Sequence, residues 1–115
     1  MLKIFQEEFD QISEHYGRIL NFYGAWSASY DKGDYHVPHN HGSVGHCGIL
    51  YLDMHKKSPA TCYLQPWNNE KDKTLLYTPK VKPGDIVIAP KFILHYSEVN
   101  FLTFKKRIIS FDFKL

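Results

Sequence analysis

From residue 21 to residue 113 the chain alternates short apolar runs with turn-forming clusters, eight times over. The runs are NFYGAWSASY (21–30), DYHVPH (34–39), HCGILYLDM (46–54), ATCYLQ (60–65), TLLYTPKV (74–81), DIVIAP (85–90), FILHYSEV (92–99) and KKRIISFDF (105–113). Between them lie clusters rich in Gly, Pro, Asn and Asp, among them residues 31–33, 40–45, 56–59, 66–72 and 82–84. Runs this short, bounded by such residues, read as strands, and eight of them predict a closed or double-sheet all-β domain. A jelly roll or small barrel is the natural class. Pro83-Gly84 is the clearest turn, because Pro fixes one φ and Gly tolerates the opposite sign at the next position.

The first twenty residues obey a different period. Ile4, Phe5, Phe9, Ile12, Tyr16, Ile19 and Leu20 recur at spacings of three and four, which predicts one amphipathic helix. Gly17 is a candidate for its end. The expected organisation is a single domain, 1–115, with an N-terminal helix over 1–20 and a β-barrel over 21–115. A chain of 115 residues, 43% apolar and 16% aromatic, can bury a core without disulfides. Its two cysteines, Cys47 and Cys62, are too few for a disulfide framework and read as reduced, buried thiols.

Charge narrows the partners. The net charge is +2 and the basic residues are scattered, whereas nucleic-acid binders concentrate them on one face, so no nucleic-acid partner is expected. No run approaches membrane-spanning length, and the N-terminus carries acids where an export signal would be apolar. Neither a membrane partner nor export is therefore expected, and a cytoplasmic location is.

Four of the seven histidines fall between residues 36 and 46: His36, His39, His41 and His46. On a strand, residues two apart face the same way, so His39 and His41 aim two imidazoles into one space. His95 is the sole histidine of the C-terminal half and the candidate third ligand. A close pair plus one remote histidine is what a metal inside a β-barrel needs. An H-x-H alone is a weak signal, since a strand histidine is more often a half-buried surface residue.

The surroundings strengthen it. Gly33, five residues, His39-Asn40-His41, four residues and His46 resemble the first cupin motif, G-x5-H-x-H-x3/4-E-x6-G, with His46 where the glutamate would be. Gly84, five residues, Pro90, Lys91, Phe92, two residues, His95 and Asn100 resemble the second, G-x5-P-x-G-x2-H-x3-N. Phe92 replaces the glycine there and Asn100 stands one place late. The resemblance implies a cupin-like double-stranded β-helix, a jelly roll, with a short N-terminal α-helix. From Ala25 to Phe113 the chain also resembles a family of 2-oxoglutarate/Fe(II)-dependent oxygenases. That family carries a tryptophan before a G-D-Y-x-x-P-H-x-H-like run, then a V-Y-Y-L-like strand, a G-D-L-x-x-F-P-x-x-x-x-H segment and a closing R-I-S-x-x-F-N. Three departures matter. His41 occupies the place of the usual carboxylate ligand, Cys47 replaces a serine, and the closing motif becomes Arg107-Ile-Ile-Ser-Phe-Asp-Phe.

Read with period two, the last run puts Lys105, Arg107, Ile109, Phe111 and Phe113 on one face, expected to be the buried one. Arg107 would then point inward near the barrel mouth, where a guanidinium can grip a ligand carboxylate bidentately. The competing reading is an arginine whose stem lies on apolar surface and whose head reaches water. The oxygenase resemblance implies that Arg107, with a tyrosine hydroxyl, holds the distal carboxylate of 2-oxoglutarate. Tyr51 is preferred for that role because it matches the V-Y-Y-L strand, and Tyr63 is the alternative. Each tyrosine also reads as ordinary strand packing.

Three functions remain open. The first is an Fe(II) oxygenase with 2-oxoglutarate as cosubstrate, ligated by His39, His41 and His95 and hydroxylating an unidentified small molecule or protein. The second is a three-histidine cupin that acts on a small carboxylate without 2-oxoglutarate, since ligand type alone does not select the metal. The third is a non-enzymatic binding barrel whose histidines do not converge. A homodimer is an option for completing the pocket wall of so short a chain. His36 and His46 are weaker candidates for the site, and His15 and His55 read as solvated.

Overall fold

The computed structural model describes residues 6–18, 20–68 and 70–115. One helix, α1 (Gln6–Tyr16), precedes eight strands: β1 (Asn21–Tyr30), β2 (His36–His39), β3 (His46–Asp53), β4 (Thr61–Asn68), β5 (Thr74–Tyr77), β6 (Ile86–Pro90), β7 (His95–Ser97) and β8 (Lys106–Lys114). The helix ends as its sequence predicts. Gly17 adopts φ +65°, and Arg18 N–H donates to Ser13 O and Gly17 N–H to Glu14 O, which satisfies carbonyls the last turn would leave free. The expected helical contributions of Ile4, Phe5 and Ile19 lie outside the described residues.

Strand pairing follows a rolled hairpin. β1 pairs with β8, β2 with β7, β3 with β6 and β4 with β5, all antiparallel. Two further antiparallel pairs, β3 with β8 and β4 with β7, close the roll into two four-stranded sheets, β1-β8-β3-β6 and β2-β7-β4-β5. That order is an eight-stranded jelly roll, and the cupin-type fold expected from the motifs is the fold observed. Gly84 takes φ +94° in the tight turn before β6, as the Pro83-Gly84 pair requires.

The two faces of the first sheet bury different things. Between the sheets, Tyr30, Ile49, Tyr51, Ala60 and Ile108 form one cluster. On the outer face, α1 lays Phe9 edge-on against Phe22 and Phe111, with ring centroids 4.8 and 5.3 Å apart. Phe113, Ile12 and Tyr16 complete this second cluster. Both faces of β8 are thereby covered, and this decides where its basic residues go.

The expected phase of β8 is corrected by the structure. Lys106, Ile108, Ser110 and Asp112 face the barrel interior, while Phe111 and Phe113 face the helix. Arg107 shares the outward phase and lies at the exposed end of the strand. Its side chain is 55% exposed, with Nε 3.8 Å from the Asp53 carboxylate. The apolar residues that suggested an inward face for Arg107 are buried under α1 instead.

Candidate metal centre

His39, the last residue of β2, is paired with His95, the first of β7, so the ladder places two imidazoles side by side at one end of the barrel. His41 lies beyond the end of β2. Its backbone N–H donates to Lys91 O over 3.0 Å, which ties the residue back across the opening. The ring centroids of His39, His41 and His95 lie between 4.4 and 5.3 Å apart. One ligand nitrogen from each lies within 4.8 Å of the others, a group that can hold a metal ion.

The tautomers favour ligation. His39 Nδ1 lies 2.7 Å from Val37 O and His95 Nδ1 lies 3.1 Å from Ile93 O. A carbonyl oxygen can only accept, so each Nδ1 carries the hydrogen and each Nε2 keeps its lone pair. His41 Nδ1 lies 2.8 Å from Asp112 Oδ1 and follows the same logic with an anion as acceptor. A second partner on the far nitrogen is what orients metal-binding imidazoles in general. Burial pushes His95 down to about 4; the hydrogen bond to Ile93 O opposes it, and the neighbouring histidines add a smaller push in the same direction as burial. His95 is therefore neutral at pH 7, the form a metal requires. The donor set, three imidazole nitrogens within 4.8 Å of one another, fits a divalent transition metal.

A cavity of about 50 Å³ opens behind the histidines. Trp26, Ala28, Ile49 and Ile108 give it apolar walls, and the hydroxyl residues Thr61, Ser97 and Ser110 also line it. Ser97 lies two residues past His95 on the same face of β7, about 7 Å along the strand. Behind this wall Lys106 Nζ donates to Ser97 Oγ at 2.7 Å and Pro59 O at 2.8 Å, and sits 4.3 Å from the centroid of the Tyr30 ring. Lys106 is 1% exposed and none of these contacts is a carboxylate. Burial alone pushes its ammonium down to about 8, so it stays mostly charged at neutral pH.

Of the residues singled out in the sequence, the structure brings His39, His41 and His95 together. It does not bring in Arg107, which is outside the barrel. Nor does Tyr51 line the cavity: it is fully buried, its hydroxyl donates to Thr61 Oγ1 and accepts from Thr61 N–H, and burial raises its pKa. Tyr63 stands nearer, with its ring 5.5 Å from His95. His46 faces the helix side, stacked on Phe113 and beside Tyr16, away from the cluster. His36 stacks on His39 at 4.0 Å and lines the cavity mouth, and burial followed by the His39 and His41 rings lowers its pKa. Cys47 and Cys62 are both free and buried, as expected. Asn100, which resembles the asparagine of the second motif, is fully buried and donates to Tyr30 O and Phe104 O, tying the loop before β8 to the end of β1.

Lys106 and Asp112 are the residues that sequence reasoning passed over. The available signal was a basic and an acidic residue six apart on one strand, in phase with Ile108 and Ser110.

Comparison with solved structures agrees with the topology. The chain is similar to AviO1 from Streptomyces viridochromogenes Tue57, with a TM-score of 0.73 and 14% identity over 95% of this chain. The chain spans 57% of the length of AviO1. Weaker likenesses are to a cupin domain from Bordetella pertussis Tohama I (TM-score 0.49, 10% identity, 79% of this chain and 80% of that one) and to an RmlC-like cupin protein from Desulfovibrio desulfuricans (0.46, 12%, 82% and 79%). At these identities the likeness is one of fold. No protein-family model and no curated protein sequence matches the chain. Among the described residues no helix is long and apolar enough to cross a membrane.

Proposed function

We propose that the protein is an Fe(II)- and 2-oxoglutarate-dependent oxygenase. His39, His41 and His95 would hold the metal, and the Ser97–Lys106 pair, rather than Arg107 and Tyr51, would hold the far carboxylate of the keto acid. The observation that carries this reading is Lys106, a buried ammonium with no carboxylate partner among the described residues, hydrogen-bonded to Ser97, which lines the cavity together with the three histidines. A buried cation without a counter-ion is costly, and a ligand carboxylate is the natural partner.

The chain's own groups divide the work. Ser97 Oγ accepts from Lys106 Nζ, so its own hydrogen is free to donate into the cavity, and the ammonium behind it strengthens that bond. Thr61 Oγ1 is placed alike, accepting from Tyr51 OH, and its register partner across the ladder is Ser97. Among the described residues no acidic side chain lines the cavity itself, and Asp112 stands behind His41 with Lys91 beside it. The walls of Ile49, Ile108 and Ala28 exclude water from the reacting end, and Trp26 with His36 frames the mouth where a substrate would approach. Iron bound at the histidines would supply the redox chemistry with dioxygen, while the protein orients and shields.

A second reading has two observations of its own. The ligand set lacks a carboxylate, and the cavity is small. A three-histidine cupin that binds a compact carboxylate as its substrate would use the same Ser97–Lys106 anchor without any keto acid. Anaerobic titration of metal-free protein with Fe(II) and then 2-oxoglutarate, followed by visible absorption, separates the two. A charge-transfer band that needs both components is expected. Iron binding without that band would replace the proposal with the second reading.

A further inference from the structure

We infer that Asp112 supplies the negative charge that the ligand set lacks, held one bond behind His41, and that Lys91 sets how much of that charge the centre feels. The inference rests on the metal reading above and concerns positioning residues.

The three histidines are not equivalent. His39 and His95 each turn Nδ1 to a neutral carbonyl, whereas His41 turns it to a carboxylate at 2.8 Å, with the two side chains 8% and 13% exposed. Hydrogen bonding to an anion pushes electron density towards the far nitrogen and makes it a stronger donor. Three neutral imidazoles leave a divalent ion at +2, and a charge of −1 just behind one of them returns the local total to +1. Two histidines and a directly bound carboxylate would give the same total.

Asp112 is fixed from both sides. β8 places it opposite Cys47 on β3 and Gly24 on β1. Its second oxygen lies 3.8 Å from Lys91 Nζ. Lys91 donates from Nζ to Tyr23 OH and lies over the Tyr23 ring, and its backbone accepts from His41 N–H and donates to Gly45 O. His41, Lys91 and Asp112 thus form one unit joined through main chain and side chain. Cys47 beside it is pushed up to about 11, by burial first and then by Asp112, so it remains a thiol and adds no charge.

An ordinary buried ion pair between Lys91 and Asp112 with His41 as filler would look similar, and charge-only substitutions distinguish the cases. Asp112→Asn keeps an acceptor for His41 and removes the charge, while Lys91→Met removes the opposing cation. The experiment measures Zn(II) affinity by competition with a chromophoric chelator, and the Fe(III)/Fe(II) midpoint potential of the iron-loaded protein. Asp112→Asn is expected to weaken Zn(II) binding about 10- to 100-fold and raise the potential. Lys91→Met is expected to move both quantities the opposite way, because Asp112 is then unopposed. Wild-type affinity in Asp112→Asn, or shifts of the same sign in both variants, would overturn the inference alone. Failure of the wild type to bind Zn(II) would overturn it together with the metal reading. Should Asp112→Asn not fold, Lys91→Met decides: a potential that does not fall refutes the role given to Asp112.

Discussion

At neutral pH the Lys106 ammonium is buried against a serine, a backbone carbonyl and a tyrosine ring, and its neighbour Arg107 stands half in water beside Asp53. The two basic residues make opposite predictions. Lys106→Met loses two hydrogen bonds worth about 1 kcal/mol each but also removes a charge whose burial is unfavourable, so its Tm should stay within about 5 °C of wild type. Its affinity for 2-oxoglutarate, measured calorimetrically on metal-loaded protein, should fall about 10- to 100-fold, as expected for one charge-assisted bond. Arg107→Ala should leave that affinity unchanged and stability within about 1 kcal/mol, because its ion pair is solvated. His95 carries a pH signature as well. Its native pKa near 4 lies below the ordinary 6.5, so between these values the unfolded chain takes up a proton that the native state refuses. Stability of the metal-free protein is therefore lost as pH falls from 6.5 towards 4, by roughly 3 kcal/mol from this residue alone. Chemical denaturation at pH 7 and at pH 4.5 should show this loss in the wild type and a smaller one in His95→Gln.

At the scale of elements, β8 is the strand on which site and core meet. One face carries Lys106, Ile108, Ser110 and Asp112 into the barrel, and the other presents Phe111 and Phe113 to α1. Gly48 on β3 allows this close packing. A Cβ there would come within 2.2 Å of the Phe111 ring, itself fully buried. Gly48→Ala should destabilise the protein by about 1–3 kcal/mol through overpacking, read as a lower urea midpoint at unchanged m-value. The same two-sided burial explains what the sequence could and could not convey. Strand positions were legible because turn chemistry is local: Asp31 to Gly33 and Pro83-Gly84 interrupt the chain wherever its neighbours fold. The convergence of His39 and His95 was legible from motif order. The phase of β8 was not, since apolar periodicity marks a buried face only when the opposite face is wet. Here Phe111 and Phe113 lie under a helix, and the reading that followed them turned Arg107 inward and Lys106 outward. His41 lies past the end of its strand, so the two-residue spacing succeeded there through a loop bond to Lys91 O and not through a pleat.

For the whole molecule, the jelly roll brings residues 39, 41, 95 and 112 together from three distant parts of the chain, an arrangement that only the closed fold creates. Metal binding should therefore be coupled to folding. At a free metal concentration of about 100 times Kd the native state gains about 2.7 kcal/mol, visible as a higher Tm in the wild type and not in His95→Ala. The central claim, that three histidines of this barrel form one metal site, is tested most directly by calorimetric titration of the metal-free protein with Zn(II). One equivalent bound by the wild type, with no stoichiometric binding by His39→Ala or His95→Ala variants that retain the wild-type circular dichroism spectrum, is the predicted result. Absence of stoichiometric binding by the wild type, or binding that survives both substitutions, would contradict it.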